Sequence, residues 1–177
     1  TYHAIALGIW GVGTGHSGAL SGIGTLTFDG AGNLTMAITE SHSDFGANHQ
    51  ESQSGTYSVN QDGTFSIFSE VNGQMQELRG AIHQDGNTII LSRVNKQSEQ
   101  TIIIGVKAGT GFSNASLSGT YHAVEFEIHN INTSDVSTYS GIGEITFDGA
   151  GNATIFAINS GSNIGANLPY EGPGTYS

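Results

Sequence analysis

Apolar and polar residues alternate along almost the whole chain. Leu26 and Phe28 point one way, Thr25 and Thr27 the other, and Leu34, Met36 and Ile38 then alternate with Thr35, Ala37 and Thr39. A period of two marks a half-buried β-strand. No stretch keeps apolar residues at i, i+3, i+4 and i+7, and glycine, 27 of 177 residues, interrupts nearly every window. Between the two runs lies Asp29-Gly30-Ala31-Gly32-Asn33, a turn that supplies the positive φ of a tight hairpin. The same grammar returns twice. Tyr57 and Val59 lead through Asn60-Gln61-Asp62-Gly63 to Phe65 and Ile67, and Leu78, Gly80 and Ile82 lead through Gln84-Asp85-Gly86-Asn87 to Ile89-Ile90-Leu91. An opening strand (Ile5, Leu7, Ile9) and a last one with Ile102, Ile104 and Val106 on one face bring the expected total to eight. The chain is predicted to be all-β.

Eight consecutive hairpin-linked strands would leave two exposed edges as a flat sheet, and exposed edges invite aggregation. Closing the meander into an antiparallel up-and-down β-barrel removes both edges around a core that side chains nearly fill. A two-sheet β-sandwich is the alternative, but sandwiches usually use Greek-key crossovers. Here the connections are short and local, apart from loops expected at 10–20 and 39–54.

Residues 1–58 return without a gap as residues 120–177. Thr1-Tyr2-His3-Ala4 reappears as Thr120-Tyr121-His122-Ala123, and Phe28-Asp29-Gly30-Ala31-Gly32-Asn33 as Phe147-Asp148-Gly149-Ala150-Gly151-Asn152. Of the 58 aligned positions 27 are identical, so the unit is a module that can be strung in tandem. The period of 119 residues is the size of a normal domain rather than of a short solenoid repeat. The expected organisation is tandem eight-stranded barrels: a complete module at 1–107, a small-residue linker at 108–119, and the first half of a second copy at 120–177. A half-module cannot easily bury its apolar face. Either the chain belongs to a longer protein or a neighbouring chain is expected to complete it.

The opening Leu117-Ser118-Gly119-Thr120-Tyr121, together with the count of eight strands, resembles the lipocalin and avidin-like (calycin-type) barrels. Lipocalins carry Gly-x-Trp where this chain has Gly119-Thr120-Tyr121. The resemblance implies the barrel and a pocket for a small apolar ligand; it carries over no binding residue.

Charge narrows the list of partners. The formal net charge is −11, and all four basic residues (Arg79, Arg93, Lys96 and Lys107) lie between positions 79 and 107. Such a chain repels phosphate backbones and anionic headgroups, so nucleic acid is not expected as a partner. There is no run of 18 apolar residues, so membrane insertion of this fragment is not expected. Cysteine is absent, which removes disulfides and thiolate chemistry. The chain starts at Thr1 with neither Met nor a leader, so any export signal would lie outside it. Abundant Gly, Ser, Thr and Asn with scarce Lys and Arg point to an extracellular or cell-surface setting.

Candidate chemistry is thin. Asp29 and Asn33 are oxygen donors, but the segment is too short and too poor in acids for a calcium loop. His3 and His122 share a module position and read as hydrogen-bonded plugs at a barrel mouth, in register with Ile5, Leu7 and Ile9. His16, His42 and His49 align with Asp135, Gly161 and Leu168, so no metal set recurs. Glu125 and Glu127 share a strand face but align with Ala6 and Gly8, and are read as a solvated outer face. No Gly-x-Ser-x-Gly elbow or phosphate loop occurs. No catalytic residue, cofactor or metal is expected. Four sequons, at Asn33, Asn114, Asn132 and Asn152, are possible glycosylation sites, and Asn33 and Asn152 are the same module position.

These features lead to the expectation of a structural component of an extracellular fibre, filament or adhesin stalk. Its partners would be copies of itself, polymerising head-to-tail by strand complementation, and surface glycans. The alternative is a calycin-like binding module for a small apolar ligand or glycan.

Overall fold

The computed structural model describes residues 1–11, 18–44, 46–71, 73–94, 99–129, 137–162 and 165–177. The chain divides into two compact units, Thr1–Ala108 and Gly109–Ser177. In the first, β1 (Tyr2–Trp10), β2 (Gly18–Phe28), β3 (Asn33–His42), β4 (Gly46–Val59), β5 (Thr64–Val71), β6 (Gln74–Ile82), β7 (Thr88–Arg93) and β8 (Glu99–Lys107) follow one another around a closed barrel. Every neighbouring pair is antiparallel, and the β1–β8 ladder closes the ring, with Ile5 opposite Ile104 and Leu7 opposite Ile102. The predicted up-and-down barrel is therefore present in this unit, and the sandwich is not.

The predicted loop at 39–54 is instead largely the end of β3, which runs to His42, and the start of β4, from Gly46. Its inward positions are polar (Glu40, His42, Glu51, Gln53), so the apolar half of the strand signature is missing. A register shift between Glu40 and His42 and the positive φ of Asn48 (61°) bend this pair.

The core holds Ala6, Leu26, Leu34, Met36, Phe65, Ile67, Leu78, Ile89, Leu91 and Ile103, with Tyr2, Phe28 and Tyr57 packed against it. Phe28 meets Tyr2 edge-on at 5.7 Å and Tyr57 edge-on at 4.9 Å, an aromatic plug at one end of the barrel. The Tyr2 hydroxyl donates to the Gly86 carbonyl at 2.7 Å, fastening the plug to the β6–β7 turn.

On β1 the inward face is not the predicted one. Ala4, Ala6 and Gly8 point in, whereas Ile5 and Leu7 point out and are about half exposed. His3 shares the outward face, so it is not a plug at the mouth. On β8 the apolar trio Ile102, Ile104 and Val106 is likewise outward, and Ile103 fills the core. Eight strands enclose little volume, and Leu26, Ile67, Ile89 and Leu91 occupy it from other strands, leaving β1 room only for small residues.

The second unit is a four-stranded antiparallel sheet in the order β12-β11-β10-β9, built from β9 (Ser118–His129), β10 (Ser137–Asp148), β11 (Asn152–Gly161) and β12 (Gly165–Thr175). It repeats the first four strands of the barrel in register and detail, down to a shift between Asn159 and Gly161 and a positive φ at Asn167 (58°). A 3-10 turn, Asn114–Ser116, precedes it. One barrel is thus closed, and the repeat is an open sheet. Among the described residues no helix is long and apolar enough to cross a membrane.

Candidate functional site

Turn chemistry accounts for the most repeated motif. One Asp29 carboxylate oxygen accepts from the backbone N–H of Ala31 at 2.7 Å and of Asn33 at 2.9 Å, and the other accepts from the Asn33 amide at 2.6 Å. Asp148, Ala150 and Asn152 reproduce all three distances. The Asn33 side chain, followed by the backbone donors, holds the Asp29 carboxyl below its usual range, and Asn152 does the same for Asp148. The two repeated sequon asparagines thus spend their amide nitrogen on the turn. Asn114 is exposed at the start of the 3-10 turn, where its carbonyl accepts from the Tyr176 hydroxyl at 3.2 Å. Asn132, like His16 and Asp135, lies outside the described residues.

Inside the barrel most strands run from an apolar end to a polar one, while β2 stays apolar from Leu26 through Leu20 to Gly18. Tyr2 gives way to Trp10, Leu34 to Glu40 and His42, Phe65 to Ser69, Ile82 to Gln76, Ile89 to Arg93 and Ile103 to Thr101. The result is a polar mouth opposite the aromatic plug. Arg93 Nη2 donates to Gln76 Oε1 at 2.7 Å. Burial pulls the Arg93 guanidinium below its ordinary pKa, and the charge of Glu40 acts against that. The Trp10 indole lies over the His42 imidazole with centroids 4.0 Å apart, and Gly18 is bare because any Cβ there would collide with that indole. Thr101 Oγ1 is buried with no hydrogen-bond partner. Below the mouth, the space beside Ala4, Ala6, Leu26 and Ile103 is about 10 Å3, no more than one water needs.

The outer wall carries the other feature. Ile23 of β2, Ile5 of β1, Ile104 of β8 and Ile90 of β7 are direct cross-strand neighbours, one row of isoleucines over four adjacent strands. Leu7 and Ile102 form a second step of the patch, and Val106 a third. All are outward and substantially exposed, Ile23 at 67%. The row borders an open groove of about 1020 Å3 whose far wall is polar, with Thr39, Gln50 and Ser52. Contiguous apolar surface of this kind marks an interaction face.

The same outward positions stay apolar in the second unit. Val124, Phe126 and Ile142 stand where Ile5, Leu7 and Ile23 stand in the first, and Val124 and Ile142 are direct partners on β9 and β10. Val124 is 87% exposed. The core of the first unit does not use these side chains. In contrast, the mouth is not repeated: Trp10, Glu40, His42 and Glu51 become His129, Asn159, Gly161 and Tyr170.

The remaining predicted residues scatter. His122 is exposed with Nδ1 3.4 Å from Glu144 Oε1, His49 lies 3.7 Å from Glu51, and His83 lies 2.8 Å from Asp85. Among the described residues no three His, Cys, Asp or Glu side chains are grouped to hold a metal ion. Glu125 and Glu127 are on the inward-equivalent face of β9, opposite Gly141 and Tyr139, and not on the outer one. Alignment with Ala6 and Gly8 carried that information, because both of those are core-facing. The outward isoleucine row was missed for the complementary reason: apolar residues at alternate positions look like a core face until register is known.

No protein-family model matches this chain, and no curated protein or solved structure matches it either.

Proposed function

We propose that this chain is a structural module of an extracellular or cell-surface assembly, in which β-barrel units associate with further copies of themselves through the outward apolar row. One observation carries the reading: the repeat preserves Ile5, Leu7 and Ile23 as Val124, Phe126 and Ile142 on a face that the fold leaves in water. A surface kept apolar without a folding need is kept for a partner, and its presence in both copies fits a partner of the same kind. The row carries no charge, so two such rows can meet without burying an ion, whereas elsewhere the acidic surfaces of copies repel one another.

Strand complementation adds a second joint. In the first unit β1 and β4 each pair on both sides, with β8 and β5 closing the ring. Among the described residues β9 and β12 pair on one side only. Strands of the β5–β8 kind, from the same polypeptide or from another copy, would close the second sheet as they close the first.

Sedimentation velocity across a concentration series tests the proposal, with electron microscopy of the concentrated sample. The native chain is expected to associate, and the double substitution Ile5→Thr/Ile104→Thr to weaken association at least tenfold. A chain that stays monomeric at high concentration, or a variant that associates as well as the parent, overturns it.

A second reading rests on the mouth. Trp10 stacked on His42, beside Glu40, Arg93 and Gln76, offers the aromatic plane and hydrogen-bonding groups that a glycan takes. Loss of binding on a glycan array with Trp10→Ala would support it.

A further inference from the structure

We infer that β5–β8 are a half shared by two mutually exclusive barrels: closed by β1–β4 in the structure, they also close with β9–β12 of the same chain. The exchange needs no association between copies, so it stands apart from the reading above. Chain order permits it. In an up-and-down barrel every strand pairs with its sequence neighbours except at one seam, here β1–β8 with Tyr2 opposite Lys107. β9 is the copy of β1 and the strand that next follows β8. A β8–β9 hairpin would replace the seam, and β12 would meet β5 as β4 does. The linker turns at the right end for this. The Tyr176 hydroxyl donates to the carbonyls of Asn114 at 3.2 Å and Leu117 at 2.8 Å, at the aromatic end of the second sheet, and β8 arrives at the aromatic end of the barrel.

The second sheet carries provisions that only a completed barrel uses. Tyr121 and Tyr176 meet Phe147 edge-on at 5.4 and 5.0 Å, the plug of the first barrel rebuilt in a sheet with no interior to close. Gly55 of β4 is bare of necessity, because a Cβ there would collide with the Phe68 carbonyl of β5. Its copy Gly174 has room, the nearest atom to such a Cβ being Ile155 Cδ1 at 3.7 Å. It is nevertheless glycine, within an unchanged Gly174-Thr175-Tyr176-Ser177. The matching run, Gly55 to Ser58, is the one that pairs with β5.

The residues that differ also suit β7 and β8. Gly8 pairs with Thr101, and Ser92 with Ile102, which puts Arg93 level with Thr101. The copy has Glu125 for Ala6 and Glu127 for Gly8, while Glu40, whose charge acts on Arg93 in the first barrel, becomes Asn159. An inward acid is moved from one strand to another rather than lost. In the second barrel Glu127 would face Thr101, whose hydroxyl is buried without a partner, and stand one strand from Arg93. A Cβ at position 8 would come within 2.9 Å of Thr101 Oγ1, so Thr101 has to change rotamer there. The halves also match in charge: all four basic residues lie at 79–107, against six acids and no base in 120–177. The first barrel prevails because Leu34 and Met36 fill its core where the copy has Ala153 and Ile155. Two packings of one sequence separated by such differences form a two-state switch.

The chain has no cysteine, so engineered pairs report each seam in the full chain. Ile5→Cys/Ile104→Cys spans the first seam and Ile104→Cys/Val124→Cys the second. In dilute protein under oxidised glutathione both are expected to form an intrachain disulfide, the second more slowly. Ile104→Cys/Phe126→Cys, two residues out of register, should link at least tenfold more slowly than positions 104 and 124. Adding Gly174→Val, which the open sheet accommodates and β5 does not, should slow the 104–124 link at least tenfold. Adding Leu34→Ala, which weakens only the first barrel, should speed it. The inference is overturned if the 104–124 pair stays reduced or links only between chains. It is equally overturned if that pair links no faster than the off-register pair, or is indifferent to either added substitution.

Discussion

Ile5 and Ile104 face each other across the seam that closes the barrel, and both point away from its core. Ile5 is 50% exposed and Ile104 36%, while their chain neighbours Ala6 and Ile103 are buried at 8% and 6%. The larger side chain of β1 is outside and the smaller one inside. This inversion is what separates the surface that holds the molecule together from the surface offered to a partner.

Stability should therefore be sensitive to the first and insensitive to the second. Ile5→Thr is expected to change the unfolding free energy of the barrel by less than about 1 kcal/mol, because the side chain is half in water already. Leu91→Ala, at a fully enclosed position, should cost about 3 kcal/mol. Urea unfolding at low protein concentration measures both. Equal losses would place Ile5 in the folding core after all.

Gly80 is squeezed rather than flexible. A Cβ there would overlap the carbonyl oxygen of Ile90 on the neighbouring strand, which is backbone and cannot rotate away. Gly80→Ala should cost about 3 kcal/mol through displacement of β7. Gly30 has open space around it but a φ of +80°, so Gly30→Ala meets only the left-handed penalty, about 1 kcal/mol. Thermal unfolding should rank the two variants in that order.

The turn carboxylates set the acid limit. Hydrogen bonds from Asn33, Thr64 and Asn87 hold the carboxyls of Asp29, Asp62 and Asp85 below their ordinary range. Each group therefore adds stability that is complete above the unfolded-state pKa of about 3.9 and is lost as pH falls through the lower folded value. Urea midpoints should be flat from neutral pH to about 4 from this source and then fall. The variant Asp29→Asn/Asp62→Asn/Asp85→Asn should show a shallower fall. An unchanged acid limb would assign the loss to other groups.

At the mouth, Thr101 and Arg93 should behave oppositely. The Thr101 hydroxyl oxygen is buried and unmatched, so Thr101→Val, nearly isosteric, is expected to be neutral or to stabilise by up to about 1 kcal/mol. Arg93→Met removes the charge-assisted bond to Gln76 and the positive charge that Glu40 acts on, and should cost about 1–3 kcal/mol. Chemical denaturation of the two single variants decides it. A destabilised Thr101→Val would mean that its hydroxyl is matched in solution.

Much of the fold is legible from local grammar. The turns Asp29–Asn33, Asn60–Gly63 and Gln84–Asn87 are sites where glycine meets a side-chain oxygen, and such sites announce hairpins without any knowledge of the rest. Leu26 and Phe28, Leu34 and Met36, and Leu78 and Ile82 also read correctly as inward, because the opposite face of each strand is more polar. β1 and β8 failed that reading because both of their faces are apolar. The stretch 39–54 failed it for the opposite reason, both faces being polar, so two strand halves read as a loop. Glu125 and Glu127 are exposed, as the sequence reading has them, but on the face equivalent to the barrel interior, which their alignment with Ala6 and Gly8 marks.

By itself the sequence determined the all-β character, the eight strands, the hairpins and the 119-residue period, since each depends on residues close together or on identity between copies. Only the tertiary structure decided which face of each ambiguous strand looks inward. That choice depends on how eight strands share one small interior, where the bulk of Leu26, Ile67, Ile89 and Leu91 leaves space on β1 for Ala6 and Gly8 and drives Ile5 and Leu7 outward. Closure is a property of all strands at once, and no single strand encodes its own orientation.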